Sequence, residues 1–251
     1  MSRHALITGA GTGIGAAIAK QLFNEGHNLS LIGRRLEPLA TLAETLGDSC
    51  KAITGDVTNR QSVEAAFSEA TANFGPVEIL VNCAGVAPSA PFHRIEFADW
   101  QKTLDVNLNG VFHCTQIALG NMKTAGWGRI VTIASTASLK GFAYVSGYCA
   151  SKHAALGLTR ALALETAQQG ITVNAVCPGY VDTDIVRESI QGIMAKTGRS
   201  EAEALQHFTQ SNPQGRLIEA DEVAASVSWL CSEGAASVTG QAIAIDGGST
   251  A

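Results

Sequence analysis

The stretch His4-Ala5-Leu6-Ile7-Thr8-Gly9-Ala10-Gly11-Thr12-Gly13-Ile14-Gly15 carries the key to this chain. A short apolar run, 5–8, passes without a polar break into four glycines spaced over seven residues. Directly after it, Ile14, Ala17, Ile18 and Leu22 recur at helical spacing, so the run reads as strand, tight turn and helix. Glycine supplies the positive φ that such a turn needs. Its missing Cβ lets a phosphate approach the backbone amides at the helix N-terminus. Gly9, Thr12, Gly13, Ile14 and Gly15 are therefore candidate ligands of a nucleotide phosphate. The alternative match Gly11-x-Gly13-x-x-Ala16 to the looser dinucleotide fingerprint would shift the turn by two residues, and the order Gly9-x-x-x-Gly13-x-Gly15 is the better fit. No G-K-[ST] follows, which disfavours a P-loop ATPase.

Working outward, the same rhythm repeats. Strands are expected at 5–8, 28–32, 50–54, 79–82, 129–133, 172–176 and 242–245, and helices at 14–24, 36–46, 60–73, 97–122, 151–168 and 222–230. The strands are rich in Val, Ile and Leu rather than alternating, as parallel strands buried on both faces are. The pattern predicts an α/β fold of one doubly wound, Rossmann-like parallel seven-stranded sheet with helices on both faces, as a single domain over 1–251. The segment 183–216 breaks the rhythm with two helical pieces, 184–195 and 200–208, the second opened by a capping box of Ser200 and Glu203. Gly192, Gly198 and Gly215 punctuate it. We read 183–216 as a lid over a substrate, against the plainer reading of a surface helical pair.

Composition narrows the classes further. Of 251 residues 46% are apolar, which excludes a disordered chain, and the 26 glycines follow no three-residue period, which excludes collagen. Charged residues make up only 16%, which leaves room for outer surface to be buried against other copies of the chain. The net charge is −5, with no basic block longer than Arg34-Arg35, so neither nucleic acid nor an anionic membrane is expected as a partner. No apolar run is long enough to cross a bilayer. The first strand begins almost at the first residue, which leaves no room for a targeting segment. Cys50, Cys83, Cys114, Cys149, Cys177 and Cys231 lie singly, as in a reduced cytoplasmic protein, and no metal site is expected.

Three further groups carry chemistry. Arg34 and Arg35 follow the second strand, where an acidic residue would hold an adenosine ribose and a basic one accommodates a 2′-phosphate. They favour NADP(H), with NAD(H) the alternative; solvation of the next helix is the plainer reading. After the third strand, Asp56 and Val57 are placed beside the adenine, Asp56 accepting from its amino group or else capping the next helix. Asn82-Cys83-Ala84-Gly85 ends the fourth strand with small residues where the chain would pass the cofactor, and Asn82, Ala84 and Gly85 are assigned to it. Tyr148 and Lys152 stand four apart on one helical face, where an ammonium favours a phenolate. Alone, such a pair is common. With Ser135 just after the fifth strand, at the same sheet edge, it makes an acid–base constellation for a carbonyl or alcohol oxygen. Ser138 is a weaker rival to Ser135, and Tyr144 has Tyr148 rather than a lysine four residues on.

Taken together in this order, Thr8–Gly15, Asn82–Gly85, Asn107, Ser135, Tyr148-x-x-x-Lys152 and Pro178-Gly179 resemble the short-chain dehydrogenase/reductase family over nearly the whole chain. The resemblance implies a catalytic tetrad. Asn107 would hold a water in a proton relay, Ser135 would position the carbonyl and Tyr148 would be the acid/base. Lys152 would bind the nicotinamide ribose and lower the tyrosine pKa. Pro178, Gly179, Val181 and Thr183 would line the nicotinamide. Cys83 stands where the family commonly has a second asparagine. Thr12 stands where many NADP-using members carry a basic residue, leaving Arg34 as the remaining signal. The stretch 172–179 with Asp246-Gly247-Gly248 is loosely similar to members acting on 3-oxoacyl thioesters and polyketide-like ketones.

The expected activity is interconversion of a small-molecule ketone and a secondary alcohol, and the alternative is a non-catalytic nucleotide-sensing protein on the same fold. Phe142, Tyr144 and the apolar residues Ile185, Val186, Ile190, Ile193, Met194 and Phe208 would shape the substrate pocket, though core packing explains the last six equally. The resemblance also implies a homotetramer built on the helix 151–168, where Ala154, Ala155, Gly157, Ala161 and Ala163 permit close approach or merely fit the helix to the sheet.

Overall fold

The computed structural model describes residues 2–251, apart from the side chains of Ile185 and Lys196. Its centre is one parallel sheet of β1 (His4–Thr8), β2 (Asn28–Gly33), β3 (Cys50–Thr54), β4 (Ile79–Asn82), β5 (Gly128–Ile133), β6 (Ile171–Pro178) and β7 (Ala242–Ile245). The order across the sheet is β3-β2-β1-β4-β5-β6-β7. The chain therefore reverses its winding between β1 and β4, and a crevice opens beyond their C-terminal ends.

Alternation along β1 shows why the strands are apolar throughout. Ala5 and Ile7 enter one core with α1 (Gly13–Asn24), α2 (Leu36–Leu46) and α9 (Ala220–Cys231). Leu6 enters the other with α3 (Arg60–Phe74), α5 (Gly110–Ala125) and α6 (Ser146–Thr166). Each strand thus needs apolar residues at both parities.

Three boundaries differ from the sequence reading. The helix expected over 97–122 is two, α4 (Phe97–Leu104) and α5, joined by a π turn over Asp105–Asn109. A π turn inserts one residue without changing the apolar pattern much, so periodicity does not reveal it. The helix expected from 151 begins at Ser146, which puts Tyr148 in its first turn. Between β6 and α9 lie α7 (Asp184–Thr197) and α8 (Glu201–Thr209), with the Ser200–Glu203 capping box in place. Gly192 does not interrupt α7; Gly198, at φ 69°, ends it in the left-handed region.

One polar side chain joins the two strands that flank the crevice. Thr8, at the end of β1 and 2% exposed, accepts from the backbone N–H groups of Cys83 and Ala84, both at 3.1 Å. Replacing Thr8 by Val keeps the shape and leaves both N–H groups without this partner, which costs roughly 2 kcal/mol. Urea unfolding of Thr8→Val should show that loss with an unchanged m-value.

Candidate active site

The glycine turn sits at the crevice. Gly9 and Gly13 have φ of 67° and 53°, and a Cβ on Gly9 would lie 2.8 Å from the Ala84 Cα. A Cβ on Gly15 would lie 2.3 Å from the Gly9 carbonyl oxygen, so helix α1 can start this close to the turn only without one. The N-terminus of α1 begins at Gly13, which selects the Gly9-x-x-x-Gly13-x-Gly15 reading over the one shifted by two residues. Thr12 makes no side-chain cap there, and the first turn of α1 holds no acidic residue. Unsatisfied amides, a positive dipole end and no Cβ in the way fit a dinucleotide pyrophosphate.

Around this turn the structure brings several expected residues together. A Cβ on Gly13 would meet the Thr183 Cγ2 at 3.2 Å, so the start of α7 touches the turn. Val181 is 5% exposed and bridges Ile218. Gly179, following Pro178, donates its N–H to the Ile245 carbonyl at 3.0 Å and packs on Asp246. The Asn82 side chain donates to Thr115 at 3.1 Å. Arg34 and Arg35 are exposed beside the end of β2. No hydrogen bond or ion pair within the described residues engages either guanidinium. Asp56 is not the cap of α3; Asn59 is, accepting from the Ser62 N–H at 3.0 Å. The Asp56 Oδ1 instead accepts from the Thr58 backbone and hydroxyl at 3.0 and 2.8 Å. Val57 buries its side chain against α5, where a Cβ on Gly110 would come within 2.8 Å of it.

The second cluster lies on the same edge, beyond β4, β5 and β6. Ser135 follows β5 and caps a short 3-10 turn by accepting from the Ala137 N–H at 3.1 Å. Its side chain also lies close enough to the Tyr148 phenol to favour that phenol's ionised form. Lys152 is 5% exposed, and its ammonium donates to the Ile133 carbonyl at 2.7 Å. Ser138, 3% exposed, has no hydrogen-bond partner for its hydroxyl within the described residues.

Asn107 sits in the π turn, fully buried. Its amide donates to the Val86 carbonyl at 2.9 Å and the Ser151 hydroxyl at 3.0 Å, and its oxygen accepts from the Val86 N–H at 2.9 Å. Both amide protons are thus committed to the protein. Gly85 lies between the two polar groups: a Cβ there would be 3.3 Å from the Asn107 Oδ1 and 3.6 Å from the Lys152 Nζ. A glycine at this position leaves the lysine its room.

The electrostatics correct one expectation. Burial pushes the Tyr148 phenol up, with the neighbouring Ser135 side chain pulling the other way, so its pKa lies above the ordinary value rather than below it. The Lys152 ammonium stands over the Tyr148 ring, 5.7 Å from its centroid, and makes no hydrogen bond to the phenol. Burial lowers Lys152 to about 8. Burial also raises the thiols of Cys83 and Cys177, to about 12 and about 11. Cys83 therefore sits beside the lysine as a neutral group.

Helices α7 and α8 form a pair between β6 and α9. Ile190, Ala204 and Phe208 form a small core of their own with Val186, Ile193 and Met194 packed on it. Tyr180 meets Phe208 edge-on at 5.1 Å. Phe142, Tyr180 and Phe208 line a narrow pocket with Thr136 and Asp246. Tyr144 lies outside this lining; it is 65% exposed with φ of 66°, and its carbonyl accepts from the Ala90 N–H at 2.8 Å. Ile185, expected to shape the pocket, lies outside the described side chains.

Comparison with known proteins agrees with this geometry. The short chain dehydrogenase family model matches residues 3–193. The chain belongs to the short-chain dehydrogenase family. It is 40% identical over 253 residues to the putative ketoacyl reductase of the monensin polyketide synthase of Streptomyces virginiae, covering 98% of this chain and 97% of that protein. It is 35% identical to the D-beta-hydroxybutyrate dehydrogenase of Rhizobium meliloti (strain 1021) over the full length of both. An actinorhodin polyketide ketoreductase variant solved with NADPH superimposes with a TM-score of 0.94 at 38% identity, over 99% of this chain and 97% of that one. The 3-ketoacyl-(acyl-carrier-protein) reductase of Brucella melitensis, solved with NADH, does so with a TM-score of 0.89 at 30% identity, over 99% of this chain and 98% of that one.

The lysine gives a pH test. Its folded-state pKa is lowered from 10.5 to about 8, so the folded state releases this proton first. Below about 8 the buried ammonium costs stability in full, and the cost is relieved as pH rises toward 10.5. Wild type should therefore gain roughly 2 kcal/mol relative to Lys152→Met between pH 7.5 and pH 10. Urea unfolding of both proteins across that window checks it, and parallel curves would refute it.

Proposed function

We propose that this short-chain dehydrogenase interconverts a ketone and a secondary alcohol with a nicotinamide dinucleotide, NADP(H) in preference to NAD(H). The observation that carries the reading is a buried Lys152 standing over the Tyr148 ring at 5.7 Å, with Ser135 beside the phenol, on the sheet edge that also holds the glycine turn. The dinucleotide, when bound, supplies or accepts the hydride. Gly9, Thr12, Gly13, Ile14 and Gly15 would hold its pyrophosphate, Arg34 and Arg35 its 2′-phosphate, and Asp56 and Val57 its adenine. Asn82, Ala84, Gly85, Pro178, Gly179, Val181 and Thr183 would pass along its remaining length.

The chain's own part is binding, orientation and one proton. In the reductive direction Ser135 donates to the substrate carbonyl oxygen, and Tyr148 gives its phenolic proton to that oxygen as it becomes an alkoxide. A phenol with a raised pKa stays protonated and ready to donate; in the oxidative direction it must first be deprotonated, toward which the Ser135 side chain biases it. Asn107 serves the relay through its backbone, since its amide protons are committed. A non-catalytic sensor would have no use for burying Lys152 beside such a phenol.

Family relatives point to a 3-oxoacyl or 3-hydroxyacyl thioester, or a similar ketone, as substrate. We read 183–216 as the lid over it, within a single domain spanning the chain. Tyr148→Phe should retain cofactor binding, measured by nucleotide fluorescence, while kcat falls by about 10²–10⁴; a variant with full turnover would refute the assignment.

We further read the protein as a cytoplasmic homotetramer acting on small molecules, with neither nucleic acid nor membrane as partner. Every cysteine is free, and no described helix is long and apolar enough to cross a membrane. On α6, Ala155 and Ala163 are buried against the sheet, so part of the small-residue stripe serves the core. Ala154, Gly157, Ala161 and Leu164, the last 84% exposed, form a separate outward strip that suits a second copy. Light scattering should give four times the monomer mass; a monomer would rule the tetramer out.

A further inference from the structure

We infer that Lys20, on α1, acts with Arg34 and Arg35 to select a 2′-phosphorylated dinucleotide; the inference rests on the NADP(H) reading above and deepens it. The glycine turn offers no cation of its own, since Thr12 is neutral. A groove runs outward from the turn between α1 and α2. Gly11, Thr12, Ala16 and Lys20 line one wall, and Arg35, Pro38 and Thr41 the other. Thr12, Ala16 and Lys20 stand four residues apart in succession, so they share one face of α1. A lysine on a helix leans toward the N-terminus, which carries the Lys20 ammonium back along the groove toward Thr12 and Arg35. The groove narrows at the turn: a Cβ on Gly11 would touch Pro38 at 3.2 Å.

Charge in the groove is unbalanced. Lys20, Arg34 and Arg35 are all exposed, and none has a hydrogen bond or ion pair among the described residues. Lys20 is the sole charged side chain of α1. The nearest acid along the chain, Glu25, is bonded to Gln21 and Ser228 away from the groove. Glu37 is the one acid lining the groove and opposes an anion there. Two free cations in the groove, Lys20 and Arg35, with Arg34 next in sequence, outweigh the one carboxylate and suit a phosphate dianion arriving at the turn. A 2′-phosphate is the anion that a dinucleotide on this turn would present beside the end of β2.

The test uses the whole chain and two adenosine fragments, 2′,5′-ADP and 5′-AMP, with affinities measured by titration calorimetry. The readout is the ratio of the 5′-AMP to the 2′,5′-ADP dissociation constant. Lys20→Ala should lower that ratio by about 3–5-fold at low ionic strength, as an exposed ionic contact does, and less in 0.5 M salt. Lys20→Arg should keep it. A ratio unchanged in Lys20→Ala while Arg34→Ala collapses it would overturn the role of Lys20 and leave the cofactor reading standing. A wild-type ratio near one would overturn the NADP(H) reading, and the role of Lys20 with it.

Discussion

The close approach of two backbones, at Gly9 and at Ala84, is the constraint on which the rest of the site depends. No side chain fits between them, and the Thr8 hydroxyl holds the ends of β1 and β4 at that spacing. With the gap fixed, α1 must begin directly over the turn, and its uncapped amides point into the crevice. The start of α7 then rests on the same turn through Thr183. The glycine turn and the α7 segment thus share one rigid reference, so sheet geometry rather than loop conformation sets the distance between them.

The chemistry is built on an opposing principle. The turn is polar backbone left open, whereas Lys152 is a charge taken out of water with one carbonyl, that of Ile133, as its hydrogen-bond partner. Burying an ammonium with so few partners is costly, and its lowered pKa reflects that cost. The neighbouring thiols stay protonated and supply polarisable but uncharged surroundings. The lysine is therefore poised to respond to any new charge or hydrogen-bond partner that arrives beside it.

Most of the architecture was legible from the residues, because each strand and helix announces itself locally. Parallel strands buried on both faces read as apolar runs, and the glycine order fixed where α1 begins. Ser135, Tyr148 and Lys152 could be matched because strand ends and the following helix starts share one sheet edge. What escaped was set by long-range contacts. The π turn exists where the Asn107 amide bonds to Val86 and Ser151, partners distant in sequence. The raised pKa of Tyr148 comes from burial, which no spacing of residues encodes. Asp56 was undecided between two roles because both use the same side chain in the same loop, and Asn59, three residues on, takes the capping one. Lys20 shows no motif at all; only the packing of α1 beside α2 sets it on the same groove as Arg35.

Asn107 illustrates how unequal the members of one site can be. Its amide ties the loop after β4, through Val86, to α6, through Ser151, and the Ser151 hydroxyl passes the tie on to the Tyr148 carbonyl at 2.8 Å. It is a structural rivet as much as a reacting group's neighbour. Truncating it would release three segments together and move Tyr148 and Lys152 with them. Genetic selection at this position therefore acts on assembly of the site before it acts on the reaction, and an inactive Asn107 variant is informative only when its fold has been weighed first.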